Sequence, residues 1–526
     1  MAAPDAVVIG AGPNGLVAAN LLADAGWQVV VVEACEEPGG AVRSDRGVHP
    51  DYVHDTFSAF YPLAAASPVI RGLGLDRYGL RWSHAAAVVA HPLADGRCPV
   101  LSRDLRRTAA SLAEFSAGDG AAWEYLYRLW RHVGDDLIGC LFTPFPPARA
   151  GLRLAARTGP EAGLRLLRTM LLPARRFGEE HFGGEGGRLL IAGNALHADL
   201  APESALGGGF GWLMCMLGQE HGFPVPVGGA GRLTDALVAR LRAHGGDVRC
   251  GRAVTGVVVR KGRAVGVRTE DGTEIPARRA VLADIPAPVL YDRLVDDREL
   301  PPRLRSDLRR FQWDFSTVKV DWALSGPIPW ECEGARGAGT VHVAEGVDAL
   351  TRFASQLAMR QVPQEPFTVL GQMTTADAGR SPAGTESAWG YTHVPQHIRA
   401  DAGEGGIEGR WDEREKQAIA DRVEAGVERL APGFRARIRA RRVLAPPDLE
   451  RLNPALVGGA INQGTTNLHQ QLVFRPVPGT GRPRTPVRGL YLCSATTHPG
   501  GGVHGAPGAN AARAALRAPH LPRRRS

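Results

Sequence analysis

The stretch DAVVIGAGPNGLVAANLLADAGWQVVVVEA, Asp5 to Ala34, decides how the chain folds. Asp5 to Gly10 is a short β-branched run of the kind that forms a parallel strand buried on both faces. Gly10-Ala11-Gly12-Pro13-Asn14-Gly15 follows without a gap. Leu16, Ala19, Leu22 and Ala23 then recur at helical spacing until Gly26 ends the run. A second strand closes on Glu33 and Ala34. Strand, glycine turn, helix, strand and acid make the βαβ unit that holds a dinucleotide. Gly10 permits the tight turn, Gly12 lets backbone approach a pyrophosphate, and Gly15 lets helix pack on strand. The helix start at Pro13 and Asn14 offers free N–H groups to phosphates. Glu33 is placed to accept hydrogen bonds from the adenosine ribose, and its charge disfavours the 2′-phosphate of NADP.

Just beyond lies EEPGGAVRS, with Gly39, Gly40 and Arg43. Here the chain resembles the flavin-dependent amine oxidase and phytoene desaturase superfamily. In that superfamily an acid, a glycine pair and a basic residue make a second contact with the FAD pyrophosphate. The resemblance assigns that role to Gly39, Gly40 and Arg43.

A second glycine string closes the chain in RGLYLCSATTHPGGGVHGAPGANAARAAL, where Gly500, Gly502 and Gly505 satisfy G-x-G-x-x-G. GLYLCS predicts a buried strand, ATTHPGGG a loop, and Ala506 onward a helix. No acidic strand end follows, so this is not a second nucleotide site. It resembles instead the C-terminal flavin motif of phytoene desaturase-like proteins, where strand, loop and helix start reach the pyrophosphate, ribityl chain and pyrimidine edge. The resemblance assigns Ser494, His498, Pro499, Gly500, Gly501, Gly502 and Val503 to the same FAD. Ser494-Ala495 stands where relatives carry a glycine. LFTPFPPARAGLRL, HFGGEGGRLLIAGNALHADLAPES, GFPVPVGGAGRLTDAL and VKVDWALSGPIPW extend the likeness along the chain. They most resemble bacterial relatives of pyridine nucleotide-disulfide oxidoreductase domain-containing protein 2.

Between the termini the α/β rhythm breaks and returns. Residues 71–224 predict a helical insertion, including the buried, sulfur-rich FGWLMCMLG from Phe210 to Gly218, suited to a core or a cavity wall. Within it, Leu154, Leu164, Leu167 and Leu171 oppose Arg153, Arg157, Arg165 and Arg168. Such a stripe suits a core-facing helix first and peripheral contact with an anionic membrane second. Residues 225–310 return to α/β, with hairpin turns at RKGR and EDGT. By the same resemblance the Val254 backbone contacts the adenine. From Phe311 the pattern is rich in strands, with one helix near Glu413 to Arg429. The expected fold class is therefore α/β. A Rossmann-type FAD-binding domain, discontinuous over 1–70, 225–310 and 481–526, joins an α+β substrate domain. That domain takes 71–224, with its helical insertion, and 311–480, with an antiparallel sheet.

Composition excludes several other functions. Seven cysteines never form a C-x-x-C pair, which argues against a zinc ribbon, a redox dithiol and a disulfide framework. A reducing, cytoplasmic setting is the default expectation. No apolar run is long enough to span a bilayer, and the N-terminus lacks the basic region of a signal peptide. The net charge is +8, but 59 of the 62 basic residues are scattered arginines among 54 acids, so nucleic-acid binding is not expected. No metal-ligand spacing is present.

FAD carries the redox chemistry and the protein supplies orientation and dryness. The expected reaction is dehydrogenation of a small apolar substrate, with O2 or a quinone as electron acceptor. Lys319 is one of only three lysines. In STVKVDWALSGPIPW it resembles the lysine that holds a water at the flavin N5 in amine oxidases. The opposing view makes it an exposed charge on an alternating strand. His504 and Asp55 are the other catalytic candidates, His504 as a base near neutral pH. His498 is expected chiefly to order its loop. Rival functions are an amine or amino-acid oxidase, and a non-catalytic lipid or protein carrier on the same fold.

Overall fold

A computed structural model describes residues 3–518 of the chain; residues 1–2 and 519–526, the outer ends of the first and last predicted segments, lie outside the described residues. The strand Ala6–Ile9 forms the centre of a five-stranded parallel sheet. It pairs with Val29–Val32 on one side and Ala280–Ala283 on the other. Asp247–Arg249 and Leu490–Leu492 complete the two edges. Three segments far apart in sequence thus build one sheet. Its central strands are wholly apolar because helices cover one face and a small sheet covers the other.

The first helix, Pro13–Asp24, packs against the last, Ala506–Leu516. Gly508 makes this possible, since a Cβ there would stand 2.0 Å from the Asn14 carbonyl oxygen. Helix Gly231–Ala243 covers the same face, and the antiparallel strands Val254–Arg260, Arg263–Thr269 and Glu274–Pro276 cover the opposite one.

The second sheet has seven strands. In order they are Ile438–Leu444, Ser316–Leu324, Glu386–Val394, Thr368–Gln372, Ala338–Val343, Ala87–Ala90 and Val100–Leu101. This corrects two expectations. The segment 71–224 is not only helical, because it contributes the last two strands. The sheet is not purely antiparallel either, because Ala338–Val343 pairs in parallel with Ala87–Ala90. Short apolar runs such as AVVA carry too little periodicity to be told from helix in isolation.

One face of this sheet carries Val89, Val369 and Trp389 into a helical layer that includes Asp119–Phe142, Glu185–His197 and Gly207–His221. The opposite face packs Trp322, Leu370 and Val341 beneath Glu413–Leu430. No helix among the described residues is long and apolar enough to cross a membrane.

Candidate functional site

A cavity of about 580 Å³ runs between the two sheets. It starts at the carboxyl ends of the parallel strands, where ligands bind in open α/β sheets. Gly10, Gly12, Pro13, Asn14, Glu33, Ala34 and Gly40 line this end, with Val254 and Arg293 beside them. Glu33 accepts from the Ala11 and Cys35 N–H groups at 2.6 and 2.9 Å. The turn is packed to its limit: a methyl on Gly12 would lie 2.6 Å from Asp284 Oδ2, and one on Gly15 2.2 Å from the Gly10 carbonyl oxygen.

Asp284 was not foreseen from the sequence. It follows the strand Ala280–Ala283 and lines the cavity between the glycine turn and Ile285. Its Oδ2 accepts from Gly15 N at 2.7 Å. Burial pushes the carboxyl up to about 7, with Glu33 adding to the rise and the Gly15 bond opposing it. The usable signal was ADIP directly after a buried strand, since strand ends in such sheets face the ligand.

The closing loop borders the middle of the cavity through Ala495, Pro499, Gly501, Gly502, Val503 and His504. Arg475, also unforeseen, fixes this region. It is fully buried and donates to the carbonyls of Ala495, Thr465 and Asn462 at 2.9 to 3.0 Å.

The far end is apolar. Phe60, Leu63, Phe142, Phe210, Leu213, Met214 and Phe223 wall it, three of them from the helix Gly207–His221. Trp389 and Tyr391 stand on alternate positions of one strand with rings 5.9 Å apart at 17°. Lys319 lines the same wall, 5.8 Å from the Trp389 ring. It is buried, not an exposed charge. Its ammonium pairs with Asp321, whose other oxygen accepts from Arg442 at 2.8 Å. Burial lowers the Lys319 pKa, against the pull of Asp321.

Thr317 also lines the cavity; its Oγ1 lies 3.3 Å from Nδ1 of His393 behind the wall, and His393 Nε2 lies 2.7 Å from Asp199 Oδ1. Burial works to lower the His393 pKa, but the Asp199 carboxylate outweighs it and raises it.

Several expected contacts are corrected by the geometry. Asp55 does not line the cavity. Its Oδ1 accepts from Ser44, Ala230 and Arg380 at 2.7 to 3.0 Å, so it clamps three segments in the interior. His504 does line the cavity, stacked on Phe142 at 4.9 Å, but its nitrogens are used by the loop. Nδ1 accepts from Ala506 N and Nε2 faces the Gly501 carbonyl, and burial lowers its pKa to about 4. It is no free base.

His498 packs edge-on against Phe145 outside the lining, and Ser494 bonds Thr496 while Ala495 takes the place on the cavity lining. Arg43 turns away to the Leu452 and Gly40 carbonyls. Gly15, Gly39 and Gly500 shape the turns without bordering the cavity. Among the described residues no cluster of three or more His, Cys, Asp or Glu could hold a metal.

The cavity joins a buried acid at a strand end, a glycine turn too close for side chains, and an apolar, aromatic end. This fits an extended dinucleotide whose reactive ring projects toward an apolar chamber. Known proteins agree. The flavin containing amine oxidoreductase family matches residues 14–516. Pyridine nucleotide-disulfide oxidoreductase domain-containing protein 2 of Mus musculus is 29% identical, covering 98% of this chain and 93% of its own. Phytoene desaturase (neurosporene-forming) of Rhodobacter capsulatus is 24% identical over 95% of this chain and 91% of its own. An oxidoreductase structure from Methanosarcina mazei shares the fold at a TM-score of 0.63 and 14% identity, covering 98% of this chain and 100% of its own. The chain belongs to the flavin containing amine oxidoreductase family and is an FAD-dependent oxidoreductase.

Proposed function

We propose that the chain dehydrogenates an apolar substrate, turning two adjacent C–H bonds into a C=C bond. FAD, when bound, supplies the N5 that accepts the hydride. Gly10, Gly12, Pro13, Asn14, Glu33, Ala34, Gly40 and Val254 would hold its adenosine and pyrophosphate end. Pro499 and the backbone of 501–503 would border its ring end. Lys319 would keep a water beside the reacting atoms.

The second hydrogen leaves as a proton. Thr317, on the cavity wall, would relay it to neutral His393, and the Asp199 carboxylate would stabilise the imidazolium so formed. O2 or a quinone completes the cycle as electron acceptor.

One observation carries this reading. The apolar end has neither an arginine for a substrate carboxylate nor an acid for an amine among its described lining residues; Glu33, Asp284 and Arg293 all lie at the dinucleotide end. An ammonium placed in this chamber would lose its hydration without a carboxylate partner, and Lys319, the cation on its wall, is already paired with Asp321. The name of the desaturase relative agrees with an apolar substrate. The Trp389–Tyr391 stack is the feature an amine oxidase would use, so amines belong in the test. The purified flavoprotein is mixed anaerobically with polyenes, cyclic alkenes and primary amines, and the visible flavin band is followed. Bleaching by the apolar compounds supports the proposal, and bleaching by amines alone overturns it.

A further inference from the structure

The helical segment Ala148–Leu171 does not bury the stripe that its sequence suggests. Of its 24 residues only Ala150 and Leu166 are buried. Leu152, Leu164, Leu167 and Leu171 are 71%, 68%, 55% and 42% exposed, and they are half of the eight exposed large hydrophobic residues described. Scattered single leucines need no explanation, but four on one segment do. Gly159 has φ 71 and ψ 176 and breaks the segment into two helical runs. In the second run Leu164, Leu167 and Leu171 are spaced by three and four, so they share one face.

The inner side is already satisfied. Leu154 and Met170 pack on the helical core, and a Cβ at Gly209 would meet Met170 at 2.6 Å. The outer leucines are therefore a separate apolar face that nothing among the described residues covers.

Charge says what covers it. The segment carries Arg149, Arg153, Arg157, Arg165 and Arg168 against one acid, Glu161. Arg153 and Arg157 touch Asp136, Arg165 touches Glu161, and Arg168 touches Glu180. Five arginines against three carboxylates leave the rim positive, and Arg149 has no carboxylate partner among the described residues. A second copy would bring the same positive rim and be repelled. An anionic bilayer meets both features, with leucines at the acyl boundary and guanidinium groups among the phosphates.

We infer that the outer face of residues 148–171 docks the enzyme on an anionic lipid surface. One helix, Gly207–His221, lies between this face and the cavity: Gly209 packs under Met170 while Phe210, Leu213 and Met214 line the chamber. The docked face and the apolar end of the cavity are thus one helical layer apart. The docking inference does not depend on the reaction proposed above, and its test does not use turnover.

The FAD-loaded full chain is sedimented with vesicles of phosphatidylcholine alone and of phosphatidylcholine with one-third phosphatidylglycerol. Wild type should pellet with the anionic vesicles and weakly with the neutral ones. The triple variant Leu164→Ser, Leu167→Ser, Leu171→Ser should lose binding by about tenfold or more, because the removed leucines supply the apolar contact. Arg149→Gln with Arg165→Gln should weaken only the anionic binding. All substituted positions are exposed, and an unchanged flavin band and melting temperature would show that the variants fold. Three results would overturn the inference: no wild-type binding to anionic vesicles, equal binding by the leucine variant, or a leucine-dependent dimer in sizing experiments without vesicles.

Discussion

Replacing Asp284 with asparagine should flatten the pH dependence of FAD binding. The carboxyl sits against the glycine turn, accepts from Gly15 N at 2.7 Å, and titrates at about 7 instead of 3.8, chiefly because it is buried. The folded value lies above the unfolded one, so the stability this group contributes is full below pH 3.8 and is lost as pH rises through 7. A shift of this size corresponds to about 4 kcal/mol at most, and less where the cavity admits water to the carboxyl. A pyrophosphate on the same turn would add negative charge and hold the proton more firmly still.

If only the protonated form binds, the apparent Kd should rise about fivefold from pH 7 to 8 and about tenfold per unit beyond. Asparagine keeps an oxygen for Gly15 N and carries no charge, so its Kd should stay level. Fluorescence quenching of FAD on the apoprotein from about pH 6 to 9 measures both slopes. Titration calorimetry in two buffers should show uptake of about one proton at pH 8 by wild type and none by the variant. A flat wild-type profile, or the same slope in both proteins, would refute the reasoning.

Other substitutions probe the remaining parts of the site. Gly12→Ala puts a methyl 2.6 Å from Asp284 Oδ2, so FAD affinity should fall by about a hundredfold or more while the sheet stays folded; retained colour after dialysis would count against a tight turn here. Lys319→Met leaves Asp321 with Arg442 still in place, so the melting temperature should drop by an amount corresponding to about 2 to 3 kcal/mol. Anaerobic bleaching should slow in the same variant, and unchanged rates would remove Lys319 from the chemistry. Met214→Trp fills the apolar end, so long substrates should lose activity through KM while FAD affinity stays the same. Equal loss for short and long substrates would argue that the chamber does not hold the substrate tail.

The sequence by itself determined the dinucleotide half of this protein. Gly10 to Glu33 is a local signal: strand, turn, helix and acid are contiguous, and each residue type is demanded by backbone geometry that no distant contact can replace. The return of Leu490–Leu492 to the same sheet was legible for a related reason, since a buried strand with no acid after it cannot found a second site. Tertiary structure decided which neighbours face the cavity: Gly40 rather than Gly39, Ala495 rather than Ser494. A one-residue step in a turn changes the direction of a side chain without changing the pattern. It alone tied Asp55 to Arg380, 325 positions away, turning a catalytic candidate into a clamp. It alone left Leu164, Leu167 and Leu171 uncovered. Periodicity tells which side of a helix is apolar, but what lies against that side depends on long-range packing that no local spacing encodes.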